Sequence, residues 1–211
     1  IAKDKGIWVI TDECYDRFLY DAEPYSLATP ALKDTVIVAG SLSKTYSMTG
    51  WRIGFVLGPA AVVGGIGKLQ SHSTSNPTSI AQKAAVEALR GPQECVGEML
   101  TEFKKRRDYV IGRLKAMPGV KVQVPQGAFY AYPNVSCAFK GGISNSLQFC
   151  EKLLSEELVA VVPGEAFGTS SHVRISYATS MKELERGLDR IQRFIADRKS
   201  TRLNSSHGYI S

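Results

Sequence analysis

Cysteine is scarce in this sequence, and long apolar runs are missing from it. The four cysteines, Cys14, Cys95, Cys137 and Cys150, lie far apart and form no CxxC pair. That excludes a zinc ribbon and a disulfide framework, and fits reduced thiols in a cytoplasmic setting. No stretch reaches the ~18 apolar residues that a membrane-spanning helix needs. There is no internal repeat, no long linker and no signal peptide, so the sequon Asn134-Val135-Ser136 is set aside. What remains is 211 residues, 44% hydrophobic and 22% charged, with a mean hydropathy of -0.10. This is the composition of a globular protein with a sizeable core.

The net charge of +6 is spread along the chain, with acids and bases interleaved. The densest basic run, Lys104 to Arg107, sits between Glu102 and Asp108 in a helical stretch. It reads as a solvated helix face, and neither nucleic acid nor membrane is expected as a partner. Both ends look irregular. Ile1 is not a methionine, and by Trp8 the chain is already in a β-type run. Upstream sequence is therefore expected, with this chain a C-terminal fragment. The stretch from Ser200 to Ser211 is polar and aperiodic and reads as an unstructured, non-native tail, so His207 is no ligand candidate.

Strands and helices alternate between those ends. Ile7–Thr11 and Thr35–Ala39 are short β-branched runs, as expected of strands buried on both faces of a mostly parallel sheet. Arg52–Leu57 is a third strand candidate. Pro77 opens a helical region with Ile80, Ala81, Ala84, Ala85, Ala88 and Leu89 on one face, and Glu94–Ala116 forms a second helix. Beyond it, strands are expected at Val120–Val124, Ala128–Tyr132, Val159–Val162 and Val173–Tyr177, with helices at Ser146–Glu157 and Met181–Arg198. The fold class is α/β: residues 1–117 as part of a larger domain with a mixed, mostly parallel sheet, and residues 118–199 as a small α+β domain.

The chemistry lies in Ser41-Leu-Ser-Lys44-Thr-Tyr-Ser-Met-Thr-Gly-Trp-Arg52-Ile-Gly54. It places two hydroxyls, a lysine and an arginine in a loop after a buried strand, where open α/β sheets build sites. Ser41, Ser43 and Arg52 suit a phosphate, and Lys44 suits a Schiff base. A solvated Ser/Gly-rich turn is the bland alternative. The upstream strand weighs against it: Asp12 lies just past its end, and Tyr15 follows within reach of the same ligand. Lysine, aspartate and a phosphate-binding arginine together match the needs of pyridoxal 5′-phosphate.

With these residues assembled, the sequence resembles the class I and II aminotransferases of fold type I. It is most similar to the bacterial and plastid-type aspartate and prephenate enzymes. The resemblance continues through Gln70–Gln82, Gln126–Tyr130, Val161–Gly168 and His172–Tyr177. It implies that Lys44 carries the cofactor and shuttles a proton, Asp12 keeps the pyridine nitrogen protonated, and Tyr15 bonds the 3′-oxygen. Ser41, Ser43 and Arg52 would hold the phosphate, and Arg174 the substrate α-carboxylate. Asn76-Pro77 would start a helix near a homodimer interface.

The implied reaction is transamination between aspartate and 2-oxoglutarate, with prephenate, aromatic or alanine substrates as alternatives. A cofactor-sensing domain of a transcription regulator is the alternative of another class. The stretch Gln70–Thr74 lacks the arginine that animal-type enzymes carry there. The resemblance also implies that a strand from outside this chain separates Ile7–Thr11 from Thr35–Ala39, and that residues 1–211 alone are inactive.

Overall fold

A computed structural model describes residues 1–200 of the chain. The tail expected at residues 200–211 falls, from Thr201 onward, outside the described residues. The chain forms two compact units. One is Ile1–Leu100 with Gln126–Ala128; the other is Thr101–Pro125 with the chain from Phe129 on.

The first unit is built on a mixed three-stranded sheet, in the order β1 (Val9–Asp12), β2 (Val36–Ser41), β3 (Gly54–Leu57). β1 and β2 run parallel, with Val9 opposite Val36 and Asp12 opposite Ala39. No strand intervenes between them, which corrects the expected separation: the two are hydrogen-bonded neighbours. β3 returns antiparallel to β2, pairing Ser41 with Gly54. Burial differs sharply across this sheet. Val36, Ile37 and Val38 are buried, whereas Ile10 of β1 is 74% exposed. The expectation of two covered faces therefore holds for central β2 and fails for β1, which among the described residues is also the edge strand of the sheet.

The first unit also contains a short helix α1 (Ala2–Lys5), then α2 (Ala60–Ser73) and α3 (Ser79–Arg90). Thr78 caps α3, its side chain accepting the Ala81 N–H. Ala81 and Ala85 join Leu42, Met48 and Ile53 in a small core, with Ala84 and Ala88 packed against it. Ile80 and Leu89 do not join it and are 71% and 56% exposed. A stripe centred on Ala81, Ala85 and Ala88 leaves both of these on its flanks.

Helix α4 (Glu94–Ala116) leads into the second unit, which holds β4 (Tyr130–Ala131), α5 (Ser146–Glu157), β5 (Val162–Pro163), β6 (Val173–Ser176) and α6 (Met181–Ser200). Its sheet has the order β4-β6-β5, antiparallel throughout. Val110, Leu114, Phe149, Leu153, Leu188 and Phe194 are buried in its core. The Phe149 and Phe194 rings meet edge to face, with centroids 5.1 Å apart.

The expected strand Val120–Val124 is absent. Lys121 makes a single bridge to Asn134. Next to that bridge Pro133 has no N–H to extend a ladder, and its carbonyl instead accepts the Val173 N–H. Strand Ala128–Tyr132 is shortened to β4 for a related reason. Ala128 is left-handed at φ 54° and donates its N–H to Phe18, so it belongs to the first unit's ladder.

Candidate active site

Because β1 and β2 are parallel and in register, their carboxyl ends reach the same edge of the sheet. Asp12 is the last residue of β1 and Ser41 the last of β2. The sequence then forms tight turns rather than a helix. The Ser43 N–H bonds the Ser41 hydroxyl at 3.1 Å, and the N–H groups of Tyr46 and Ser47 bond the carbonyls of Leu42 and Lys44. Leu42, Thr45 and Met48 are buried, which anchors the loop and leaves Lys44 half-buried between them. Thr45 donates to Asp16 at 3.3 Å, tying this loop to the one after β1.

Arg52 ends the segment in a left-handed conformation, φ 51° and ψ 51°, after a turn of 3-10 helix at Thr49–Trp51. A non-glycine residue held there costs ~1–2 kcal/mol, which the surrounding packing must supply. The strain turns the chain back into β3 two residues later. There Gly54 is required, because a Cβ would sit 2.6 Å from the Gly40 carbonyl oxygen. One guanidinium nitrogen of Arg52 donates to the Thr49 carbonyl at 2.8 Å. No carboxylate among the described residues pairs with Arg52. It lines a cavity of about 720 Å³ together with Trp51, Gln70, Thr74 and Asn76. Ser41 lines a second cavity, of about 350 Å³, with Asp16 and Thr45.

On the β1 side, one Asp12 carboxylate oxygen accepts the Cys14 N–H at 3.0 Å. The Lys44 ammonium lies 6.0 Å from the centre of the Tyr15 ring. Burial pushes the Cys14 thiol pKa upward, aided by the hydrogen bond it donates to the Asp12 carboxylate and by that carboxylate's charge, while the Lys44 charge opposes this. Both charges are therefore felt at one thiol. The fold brings Asp12, Tyr15, Ser41, Ser43, Lys44 and Arg52 onto one unit. Lys44, Asp12 and Tyr15 do not line the cavity that holds Arg52.

Arg174 belongs to the second unit, in the middle of β6 and opposite Val162 of β5. Its guanidinium carbon sits 4.5 Å from the Tyr130 ring centre and 4.7 Å from that of Phe167. Two aromatic rings thus lie within cation–π distance of this guanidinium, which has no carboxylate partner among the described residues. Tyr130 and Phe167 carried no assigned role in the sequence reading. Their signal was present as aromatics inside two of the motifs singled out, Gln126–Tyr130 and Val161–Gly168.

The family sequence model "Aminotransferase class I and II" matches residues 1–191. The chain belongs to this family. An aspartate aminotransferase of Bacillus sp. (strain YM-2) is 46% identical over 199 residues, covering 92% of this chain and 51% of the relative. An aspartate/prephenate aminotransferase of Cereibacter sphaeroides is 44% identical, covering 90% and 50%. The crystal structure of the aspartate aminotransferase of Rhizobium meliloti superposes with a TM-score of 0.87 at 38% identity, covering 93% and 51%. The chain spans about half the length of the curated relatives it matches. No helix among the described residues is long and apolar enough to cross a membrane.

Proposed function

We propose that this chain carries the lysine and carboxylate-binding residues of a pyridoxal 5′-phosphate-dependent aminotransferase acting on aspartate and 2-oxoglutarate. The observation that carries the reading is the shared sheet edge: Asp12 and Ser41 end adjacent parallel strands, and Lys44 stands in the loop that follows. The donor set fits the cofactor. A carboxylate, a phenol, an amine, two hydroxyls and an arginine with no carboxylate partner are complementary to a pyridinium, a phenolate oxygen, an aldehyde and a phosphate.

Bound there, pyridoxal phosphate supplies an aldehyde for Schiff-base exchange with amines and a ring that withdraws electrons. The protein's own work is positional and acid–base. Lys44 binds the cofactor through its amine and, once free, moves a proton at the substrate Cα. Asp12 accepts the ring N–H and keeps that nitrogen protonated. Tyr15 donates to the 3′-oxygen. Ser41, Ser43 and Arg52 hold the phosphate, and Arg174 takes the substrate α-carboxylate as a fork.

On this reading residues 1–117 are part of a large cofactor-binding domain, and residues 118–199 form a small domain. The protein works as a cytoplasmic homodimer. Prephenate is the alternative amino acceptor, favoured by the likeness to the Cereibacter enzyme. The test is a steady-state assay of the protein made from its complete reading frame, with aspartate as donor and either 2-oxoglutarate or prephenate as acceptor. Turnover with 2-oxoglutarate supports the reading, and turnover with prephenate alone replaces it by the alternative. No transfer to any 2-oxo acid rejects it.

A further inference from the structure

We propose that Ser146 and Glu165 form a positioning pair that fixes the orientation of Arg174 through Phe167. The proposal rests on the aminotransferase reading above, and concerns how the α-carboxylate site is held rather than what binds there.

Ser146, the first residue of α5, is fully buried. Its hydroxyl accepts the Gly164 N–H at 2.9 Å and donates to one carboxylate oxygen of Glu165. The other carboxylate oxygen accepts the Leu147 N–H at 3.3 Å. One carboxylate therefore satisfies an otherwise orphaned donor at the α5 N-terminus while clamping the turn that follows β5. These contacts draw the Glu165 carboxyl below its ordinary pKa, the Ser146 hydrogen bond contributing most.

The clamped turn is Gly164–Phe167, a short 3-10 helix. It lies so close to the approach to β6 that a Cβ on Gly164 would be 2.4 Å from the His172 carbonyl oxygen. Two residues beyond Glu165, the Phe167 ring lies under the Arg174 guanidinium carbon, 4.7 Å from its centre. The path is thus short and contiguous: α5, Ser146, Glu165, the turn, Phe167, Arg174. Phe167 is 46% exposed and its ring meets the Tyr132 ring edge to face, with centroids 5.9 Å apart, so its position depends both on that contact and on the turn that carries it. Glu165 touches no reacting atom; it acts through the position of Phe167.

The experiment compares Glu165→Ala, Glu165→Gln and Ser146→Ala in the protein from its complete reading frame. Glu165→Ala is expected to raise KM for aspartate about tenfold with kcat changed far less, since a misplaced carboxylate clamp weakens binding. Glu165→Gln keeps an acceptor for Leu147 and a partner for Ser146, and should stay within about twofold of wild type. In an Arg174→Ala background the Glu165→Ala change should add nothing to KM, because the residue it positions is gone.

Borohydride trapping of the cofactor on Lys44 should be unaltered in every variant. A wild-type KM in Glu165→Ala, or an equal further loss in both backgrounds, overturns the positioning role while leaving the reading of function intact. Absence of trapping and of turnover in the unmutated protein overturns that reading instead. Should Glu165→Ala fail to fold, Ser146→Ala carries the same expectation, and a wild-type KM there overturns the role equally.

Discussion

The Lys44 ammonium stands 6.0 Å from the centre of the Tyr15 ring, across two loops that leave adjacent parallel strands. The two residues are 29 positions apart in sequence yet are set by one register, that of Asp12 opposite Ala39. Removing the amine removes both the attachment point and the proton carrier. Lys44→Ala is therefore expected to lose essentially all turnover and all borohydride-trapped cofactor, in the protein from its complete reading frame. Peptide mapping that found the trapped cofactor on Lys68 would reassign the site.

Arg174 should fail in a different way. Its guanidinium lies within cation–π distance of both Tyr130 and Phe167, so Arg174→Lys weakens those contacts and loses the fork, and Arg174→Ala loses the charge as well. The expected loss in kcat/KM for Arg174→Ala is roughly 2–4 kcal/mol, for monocarboxylate and dicarboxylate amino acids alike. Cofactor trapping on Lys44 should persist. An unchanged kcat/KM would place the α-carboxylate elsewhere.

Much of this arrangement is legible in the amino-acid sequence, and the parts that are not have physical causes. Helices α4 and α5 were readable to the residue, because each has an apolar stripe long enough to average out local exceptions. Helix α2 was not read. Gly64, Gly65 and Gly67 lower its propensity, and none of its residues is buried, so it shows neither composition nor stripe. The direct pairing of β1 with β2 was also missed, since a strand's sequence does not say which strand lies beside it. At the site, Lys44 and Asp12 announced themselves by residue type, whereas Glu165 did not. An exposed glutamate in a turn gives no sign of capping a helix 19 residues earlier.

The thiols give a check that needs no activity. Burial, with the charges of Glu165 and Glu151, raises the Cys150 pKa from its ordinary 9.0 to about 11. Cys95 is exposed. At pH 8.5 a disulfide reagent is expected to label Cys95 first and Cys150 only on unfolding, because the thiolate is the nucleophile. The sign of the linkage follows. The folded state keeps Cys150 protonated between pH 9 and about 11 while the unfolded chain ionises, so stability falls as pH rises through that window. Cys150→Ala should flatten the fall. Rapid labelling of Cys150 in the folded protein would contradict its burial.

The last expectation concerns β1 as a surface. Among the described residues it pairs with β2 on one side only; Ile10 on it is 74% exposed, and Ile7 and Trp8 just before it are 57% and 60% exposed. An uncapped strand edge flanked by large apolar side chains is a template for a second copy. Residues 1–211 produced by themselves are therefore expected to self-associate, with sedimentation showing a concentration-dependent shift to large species. A lysine on the strand opposes such pairing by charge and by the cost of desolvating it. Ile10→Lys changes a side chain already in water, so it should cost the fold within ~0.5 kcal/mol while raising the soluble fraction severalfold. A Phe149→Ala control, which empties a buried site, should instead cost about 3–5 kcal/mol and worsen solubility. A monomeric 211-residue chain whose solubility is indifferent to Ile10→Lys would show that this edge is not the associating surface.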